Sequence, residues 1–415
     1  VPITASCASS DPLSPLRIAV VAPPWAELPP SGYGGIEAVC ADLVSALLRN
    51  GHHLTLVGVG RNGTDAAFAR TYGLPQTDRM GEALPEVVHA AALPSILAGL
   101  DVDVVHDHTL AGPLLARTHG LPTVVTAHGP VVGEMGEYYR AVSGWVRLVA
   151  ISEAQRAAAP DISWFGSVHN AVDPHAYPIS LRKDDYVLFL GRMNPDKGVT
   201  TAIRVARSVG VPLVIAAKCR EPGERRYFDE VVAPLLGDDV EWRGEVGGAE
   251  KLDLLGRARC LLFPIEWEEP FGMVMIEALA CGTPVVALRR GSVPEIVRHG
   301  ETGFVCVDER ELADAVLAAP SLDAARCRRE VEARFGADHM ADCYELIYRE
   351  AVGLAQPVPE GRPPHLRPAA APGGRAVERI PKDRSAFQAV HGGQADRRRA
   401  DTAVRTATSG PGREQ

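Results

Sequence analysis

What this 415-residue chain lacks narrows it first. No apolar run reaches the ~18 residues of a membrane-spanning helix, so no transmembrane segment is expected. The first sixteen residues are rich in Ser and Pro and charged only at Asp11. They lack a basic stretch followed by an apolar one, so no signal peptide is expected and the location expected is cytoplasmic. Eight cysteines occur without a C-x-x-C pair, and Cys40, Cys281 and Cys306 lie in apolar surroundings. That usage suits reduced, buried thiols better than a disulfide framework or a zinc site. Hairpin-turn signals are few, and no short repeat is present.

Charge is unevenly spread. The segment 356–415 carries eleven Lys and Arg against six Asp and Glu, a net of +5, which leaves −14 for the remainder. Rich in Pro, Gly, Ala and Arg and without a hydrophobic period, this tail is expected to be disordered. Its Arg397-Arg398-Arg399 run reads as solvated chain, and the acidic body argues against a nucleic-acid partner.

Apolar strand-like runs fall at 17–22, 54–59, 102–106, 123–128 and 148–151, with helical or loop segments between them. A second series follows, with strands at 186–191, 212–217, 260–264 and 284–287 and helices at 196–209, 225–236, 249–258 and 272–281. This alternation implies α/β architecture with parallel βαβ units. We expect two Rossmann-like doubly wound domains, 17–175 and 186–336, facing each other across a cleft. They are joined by a linker at 176–185, preceded by an extension at 1–16 and followed by a helix at 337–355.

The stretch EEPFGMVMIEALACGTPVVA (268–287) carries the most chemistry. A helix starting near Phe271-Gly272 directs free backbone N–H groups and its positive dipole end outward, a ready anion site. Gly272 permits close backbone approach. Glu269 precedes the helix and Glu277 lies about two turns on, within roughly 80° of the same face. An unneutralised carboxylate there accepts from paired hydroxyls, as on a sugar or ribose; alternatively Glu269 caps the helix and Glu277 pairs with a lysine. The loop GRMNPDKG places Arg192 and Lys197 near a strand end, where two cations balance a diphosphate. Gly32, Gly34 and Gly35 form a glycine-rich turn without the G-x-G-x-x-G spacing, which favours a phosphate or sugar over a dinucleotide.

Together, GYGGIE (32–37), TAHG (126–129), AISEAQR (150–156), HNAVD (169–173), GRMNPDKG (191–198), EPFGMVMIEALACGTPVVA (269–287) and GSVPEIVRHGETGFV (291–305) resemble the retaining glycosyltransferases of the GT-B fold, family 4. The resemblance spans roughly 17–350. It implies that Glu269 holds donor-sugar hydroxyls, that Glu277 holds the ribose, and that backbone groups of Phe271, Gly272 and Met273 face sugar and phosphates. It further implies that Arg192 and Lys197 grip the diphosphate, that Gly35, beside Gly34, closes onto the donor phosphate, and that His128 sits by the reacting sugar. Lys218 and Val246 join the donor-side candidates. The donor implied is a UDP- or GDP-type sugar, the acceptor a natural product, lipid or saccharide, and no metal or other cofactor is expected.

Where the family often has Asn-Gly-Val-Asp, this chain has Asn170-Ala171-Val172-Asp173. Asp101-Val102-Asp103 spells a metal-holding D-x-D, but it precedes its strand, whereas ligands of such sheets bind beyond the carboxyl ends. His106, Asp107 and His108 do lie at that edge. Adjacent residues on an extended chain alternate in direction, so they suit acceptor contacts or loop hydrogen bonds better than one metal ion. Tyr33 joins His106 and His108 as an acceptor-side candidate. Trp25, Trp164 and Trp267 read as packing. Besides glycosyl transfer, a sugar-nucleotide epimerase, a phosphorylase on a similar scaffold, or a non-catalytic sugar-nucleotide binder remain compatible with these residues.

Overall fold

The computed structural model describes residues 14–32 and 34–355. Tyr33 and most of the expected N-terminal extension fall outside the described residues, as does the tail from Gln356. The first sheet has seven strands: β1 (Arg17–Val21), β2 (His53–Val59), β3 (Ala67–Tyr72), β4 (Val104–Asp107), β5 (Thr123–Ala127), β6 (Arg147–Ala150) and β7 (Trp164–Ser167). Their order is β3-β2-β1-β4-β5-β6-β7, and every pairing is parallel. The second sheet comprises β8 (Val187–Arg192), β9 (Leu213–Lys218), β10 (Val240–Gly244), β11 (Cys260–Phe263), β12 (Val285–Leu288) and β13 (Gly303–Cys306). Its order is β10-β9-β8-β11-β12-β13, again all parallel.

Inner strands such as β1, β8 and β11 are apolar on both faces because helices cover both. Ile18, Ala19, Val20 and Val21 are all fully buried. Each strand order reverses once, between β1 and β4 and between β8 and β11. Such a reversal opens a crevice at the carboxyl ends of the strands.

Two expected helices are broken. The segment 196–209 is a single 3-10 turn, Pro195–Lys197, followed by helix Val199–Ser208. Gly198 separates them at φ +73, and a side chain there would overlap the Pro264 carbonyl. The segment 225–236 becomes helix Pro222–Tyr227, a wider π turn Phe228–Val232 and a 3-10 turn Ala233–Leu235 that contains Pro234. A proline inside a helix removes one ladder bond and forces such a change.

The D-x-D sequence is structural. Asp103 accepts from Arg17 N at 2.8 Å and from Arg17 Nη2 at 2.6 Å, and Asp101 also pairs with Arg17. Both acids therefore pin the start of β1, at the sheet edge opposite the crevice.

The chain returns to the first lobe at its end. Val172 N donates to Phe335 O and Ala337 N to Val172 O, each at 3.0 Å. Helix Ala337–Ala355 then buries Met340, Ala341, Tyr344 and Tyr348 in the core that holds β1 and helix Gly35–Arg49. Tyr348 Oη lies 2.7 Å from His106 Nδ1, and Tyr344 Oη lies 2.7 Å from Thr126 Oγ1. Both tyrosines are buried, so losing a hydroxyl strands its partner. The variant Tyr348→Phe is expected to lose about 1–3 kcal/mol of stability, read by denaturant unfolding.

Candidate functional site

A cavity of about 650 Å³ opens where the carboxyl edges of the two sheets face each other, within the usual size for a small-molecule site. Its walls include Gly34, Gly35, His128, Arg192, Lys197, Lys218, Val246, Glu269, Phe271, Gly272, Met273 and Glu277. These are all of the catalytic and donor-side residues singled out from the sequence.

The two acids of the central motif meet here by a different route from the one expected. The helix is Met273–Ala280, capped by Gly272 at φ 81, so Glu269 lies on the preceding loop and not on the helical face of Glu277. Two neighbours hold that loop: Ser292 N donates to Glu269 O at 3.0 Å and Gly291 N to Glu268 Oε2 at 2.6 Å.

Neither acid stands unneutralised. Lys197 Nζ donates to Glu269 Oε2 at 2.5 Å, and Trp267 Nε1 donates to the same oxygen at 3.1 Å. Lys197 Nζ also sits 4.9 Å from the centre of the Trp267 ring, so this tryptophan positions the pair as well as packing. Lys251 Nζ donates to Glu277 Oε1 at 2.7 Å and Tyr177 Oη at 3.2 Å. Glu277 Oε2 is buried and has no hydrogen-bond partner among the described residues. An orphaned carboxylate oxygen facing a cavity is an acceptor awaiting a donor.

Arg192 lines the cavity and forms no ion pair among the described residues. Lys218 is buried and donates to Glu221 Oε1 at 2.6 Å.

The first lobe contributes its edge through the loop after β1 and the start of helix Gly35–Arg49. Glu37 is buried on that helix, and burial pushes its carboxyl up to about 7. Burial likewise raises Asp42 to about 7, and Asp173 N donates to Asp42 at 3.2 Å. Glu37, Asp42, Asn170, Trp25, Met80 and Tyr177 all line the cavity, and sequence reading did not place them there. Of these, Trp25 and Tyr177 lay in segments read as packing and as linker. Nothing in local pattern marks Lys251, whose partner is 26 residues away.

The acceptor-side expectation for His106 is corrected. His106 is fully buried, and both its nitrogens are taken, by Tyr348 Oη and by Thr126 Oγ1 at 2.7 Å each. His108 is also buried and is absent from the cavity wall; its Nδ1 lies 2.8 Å from His128 Nε2. Asp107, between them, accepts from Thr109 N and Thr109 Oγ1 at 2.8 Å each, and burial raises its carboxyl to about 7. Loop hydrogen bonds describe Asp107 alone; the two histidines bond to other parts of the first-lobe core.

The lobes also touch beside the cavity. Glu295, on helix Val293–Ile296, accepts from Glu153 N at 2.9 Å, Ala154 N at 2.6 Å and His169 Nε2 at 3.0 Å. Burial opposes its charge, but these three hydrogen bonds hold its pKa below the ordinary glutamate value.

Comparison with known proteins agrees with this layout. Residues 178–333 match the family described as glycosyl transferases group 1, and residues 33–174 match glycosyltransferase family 4. Glycogen synthase of Mycobacterium tuberculosis is 28% identical over 382 residues, covering 77% of this chain and 89% of the relative. Alpha-maltose-1-phosphate synthase of the same organism is 30% identical over 325 residues, covering 67% and 81%. Among solved structures, AviGT4, a glycosyltransferase involved in avilamycin A biosynthesis, aligns with TM-score 0.63 at 28% identity, covering 82% of this chain and 98% of that one. HepE of Anabaena, in complex with UDP and glucose, aligns with TM-score 0.64 at 18% identity, covering 80% and 99%.

Two parallel doubly wound lobes with a cavity between their carboxyl edges are the GT-B fold of glycosyltransferases. Within that class the chain belongs to family 4, the group 1 glycosyltransferases.

Gly291 tests how tightly Glu269 is held. It sits at φ +47, and a side chain there would overlap the Glu269 carbonyl. The variant Gly291→Ala is expected to lose about 2 kcal/mol or more of stability in a melting experiment.

Proposed function

We propose that the chain is a retaining, metal-independent hexosyltransferase that uses a UDP- or GDP-type sugar donor. The observation that carries this is the convergence of Arg192, Lys197, Glu269 and the orphaned Glu277 oxygen on one cavity beside the start of helix Met273–Ala280. The bound UDP and glucose of HepE, a protein of the same fold, support a nucleotide-sugar donor.

Each residue then has a task. Glu277 Oε2 accepts from a ribose hydroxyl, with Lys251 and Tyr177 holding the other oxygen. Arg192 and the helix start compensate the diphosphate. Lys197, held by Glu269 before the donor arrives, turns part of its charge to the phosphates, and Glu269 takes up sugar hydroxyls. In the reaction the bond from the anomeric carbon to the phosphate oxygen breaks, and its electron pair leaves with the diphosphate. The oxocarbenium-like sugar accepts the acceptor oxygen on the same face. The acceptor's proton passes to a phosphate oxygen of the leaving group. Two cations and a dipole supply the charge stabilisation for which other enzymes use a metal ion. The first-lobe wall supports an uncharged acceptor: its described ionisable side chains are Glu37, Asp42 and His128, set among Trp25, Pro29, Pro30 and Met80. A phosphorylated acceptor would meet no Lys or Arg on that wall among the described residues.

Purified protein is expected to bind nucleoside diphosphates in a thermal-shift panel and to transfer sugar with unchanged rate in the presence of a chelator. The product should keep the donor's anomeric configuration by NMR; an inverted product would overturn the retaining assignment. Phosphate-dependent glycoside cleavage would identify a phosphorylase instead, and slow donor hydrolysis stimulated by no acceptor would favour a binding protein.

Glu277→Ala is expected to weaken affinity for the free nucleoside diphosphate, and unchanged affinity would remove its ribose role. Lys197→Ala should lower turnover ~10²-fold, as for other single electrostatic contacts to a developing charge. Wild-type turnover would take it out of the mechanism.

A further inference from the structure

Three histidines run from the first-lobe core to the cavity. His106 lies deepest, with both nitrogens bonded to hydroxyls. The His108 ring follows, 4.0 Å from His106 centre to centre. His128 comes last, on the cavity wall, its ring 5.1 Å from that of His108 and 26° from parallel. A hydrogen bond between His108 Nδ1 and His128 Nε2, 2.8 Å long, also joins the last two.

All three rings are neutral near pH 7. Burial pushes His128 down to about 3, and burial together with the neighbouring rings holds His106 and His108 well below the ordinary value. A single proton therefore sits between His108 and His128, and two arrangements exist. If His128 donates from Nε2, His108 carries its own proton on Nε2. If His108 donates from Nδ1, its Nε2 is a bare lone pair. His108 Nε2 is buried and has no partner among the described residues. The first arrangement thus buries an unpaired N–H, the second an unpaired acceptor. Orphaned buried N–H groups are the rarer of the two.

We propose that His108 is a positioning residue: by donating Nδ1–H to His128 Nε2 it fixes His128 in the Nδ1–H form. His128 Nε2 is then occupied, and the nitrogen left for the cavity carries a proton. His128 meets its ligand as a hydrogen-bond donor and does not act as a base. On the glycosyl-transfer reading, that ligand atom is an oxygen of the transferred sugar or of the departing phosphate. The tautomer itself does not depend on that reading. His106, gripped from below by the final helix, packs against His108 and keeps its ring in place.

The test uses full-length protein with 15N-labelled histidine and two-bond 1H–15N correlation at pH 7.5, with His128 assigned by its loss in His128→Gln. The expected result is a protonated Nδ1 and a bare Nε2 for His128. The variant His108→Phe should release this pattern to the Nε2–H form or a mixture. It should lower kcat about tenfold, the upper range for one neutral hydrogen bond, with nucleoside diphosphate affinity unchanged. His108→Asn, whose amide nitrogen overlays the imidazole Nδ1, should restore both the tautomer and most of the rate. A protonated Nε2 on His128 in the wild-type protein would overturn the proposal, whatever the variants do. So would a His108→Phe protein that keeps both the wild-type tautomer and kcat. A protein with the expected tautomer that transfers no sugar would leave this inference standing and defeat the functional reading instead.

Discussion

The pairing of Lys197 with Glu269 sets the terms for the rest of the site. Both side chains are nearly buried, at 13% and 11% exposure. In such surroundings a lone charge is costly, and removing one partner strands the other. The chain therefore fixes both ends. Gly198 lets the Lys197 turn nest against Pro264, while Gly291 and Ser292 clasp the Glu269 backbone. A donor that enters this setting exchanges one compensated arrangement for another and need not build one from solvent. Trp267 contributes to both members, through its N–H to the acid and its ring face to the base.

Most of the scaffold could be read from the sequence, and what could not follows a rule. The interior strands β1, β2, β4, β5, β6, β8, β9, β11 and β12 announce themselves as apolar runs because parallel sheets bury both faces. The strands that the apolar pattern did not reveal, β3, β7, β10 and β13, are the four sheet edges. β3 and β7 contain no buried residue and β10 alternates in exposure, so no continuous buried run marks them; β13 is apolar and mostly buried but only four residues long. Edge strands are held by one neighbour, and their sequences carry correspondingly less of the signal.

The site divides in a similar way. Residues on the motifs around Arg192, Lys197, Glu269 and Glu277 were legible because backbone geometry and ligand chemistry act within one short segment. Their partners were not. Lys251 reaches Glu277 from another helix and Tyr177 from the stretch between the lobes, while Glu295 crosses to the first lobe to cap Glu153 and Ala154. The Lys251 contact is set by how two helices of the second lobe pack and the Glu295 contacts by how the lobes meet, and no local period encodes either. His106 misled for the opposite reason. It lies at the expected edge of the sheet, yet the hydroxyls of Tyr348 and Thr126 enclose it, and one of them comes from 242 residues further along the chain.

That returning helix has a bearing on synthesis. Tyr344 and Tyr348 belong to a core begun at β1, but they emerge from the ribosome only after the whole second lobe has been made. Until then helix Gly35–Arg49 keeps an apolar flank bare, and the first lobe waits in an unfinished, association-prone form. The second lobe, whose cores contain no residue of helix Ala337–Ala355, can mature while its elder neighbour is still open.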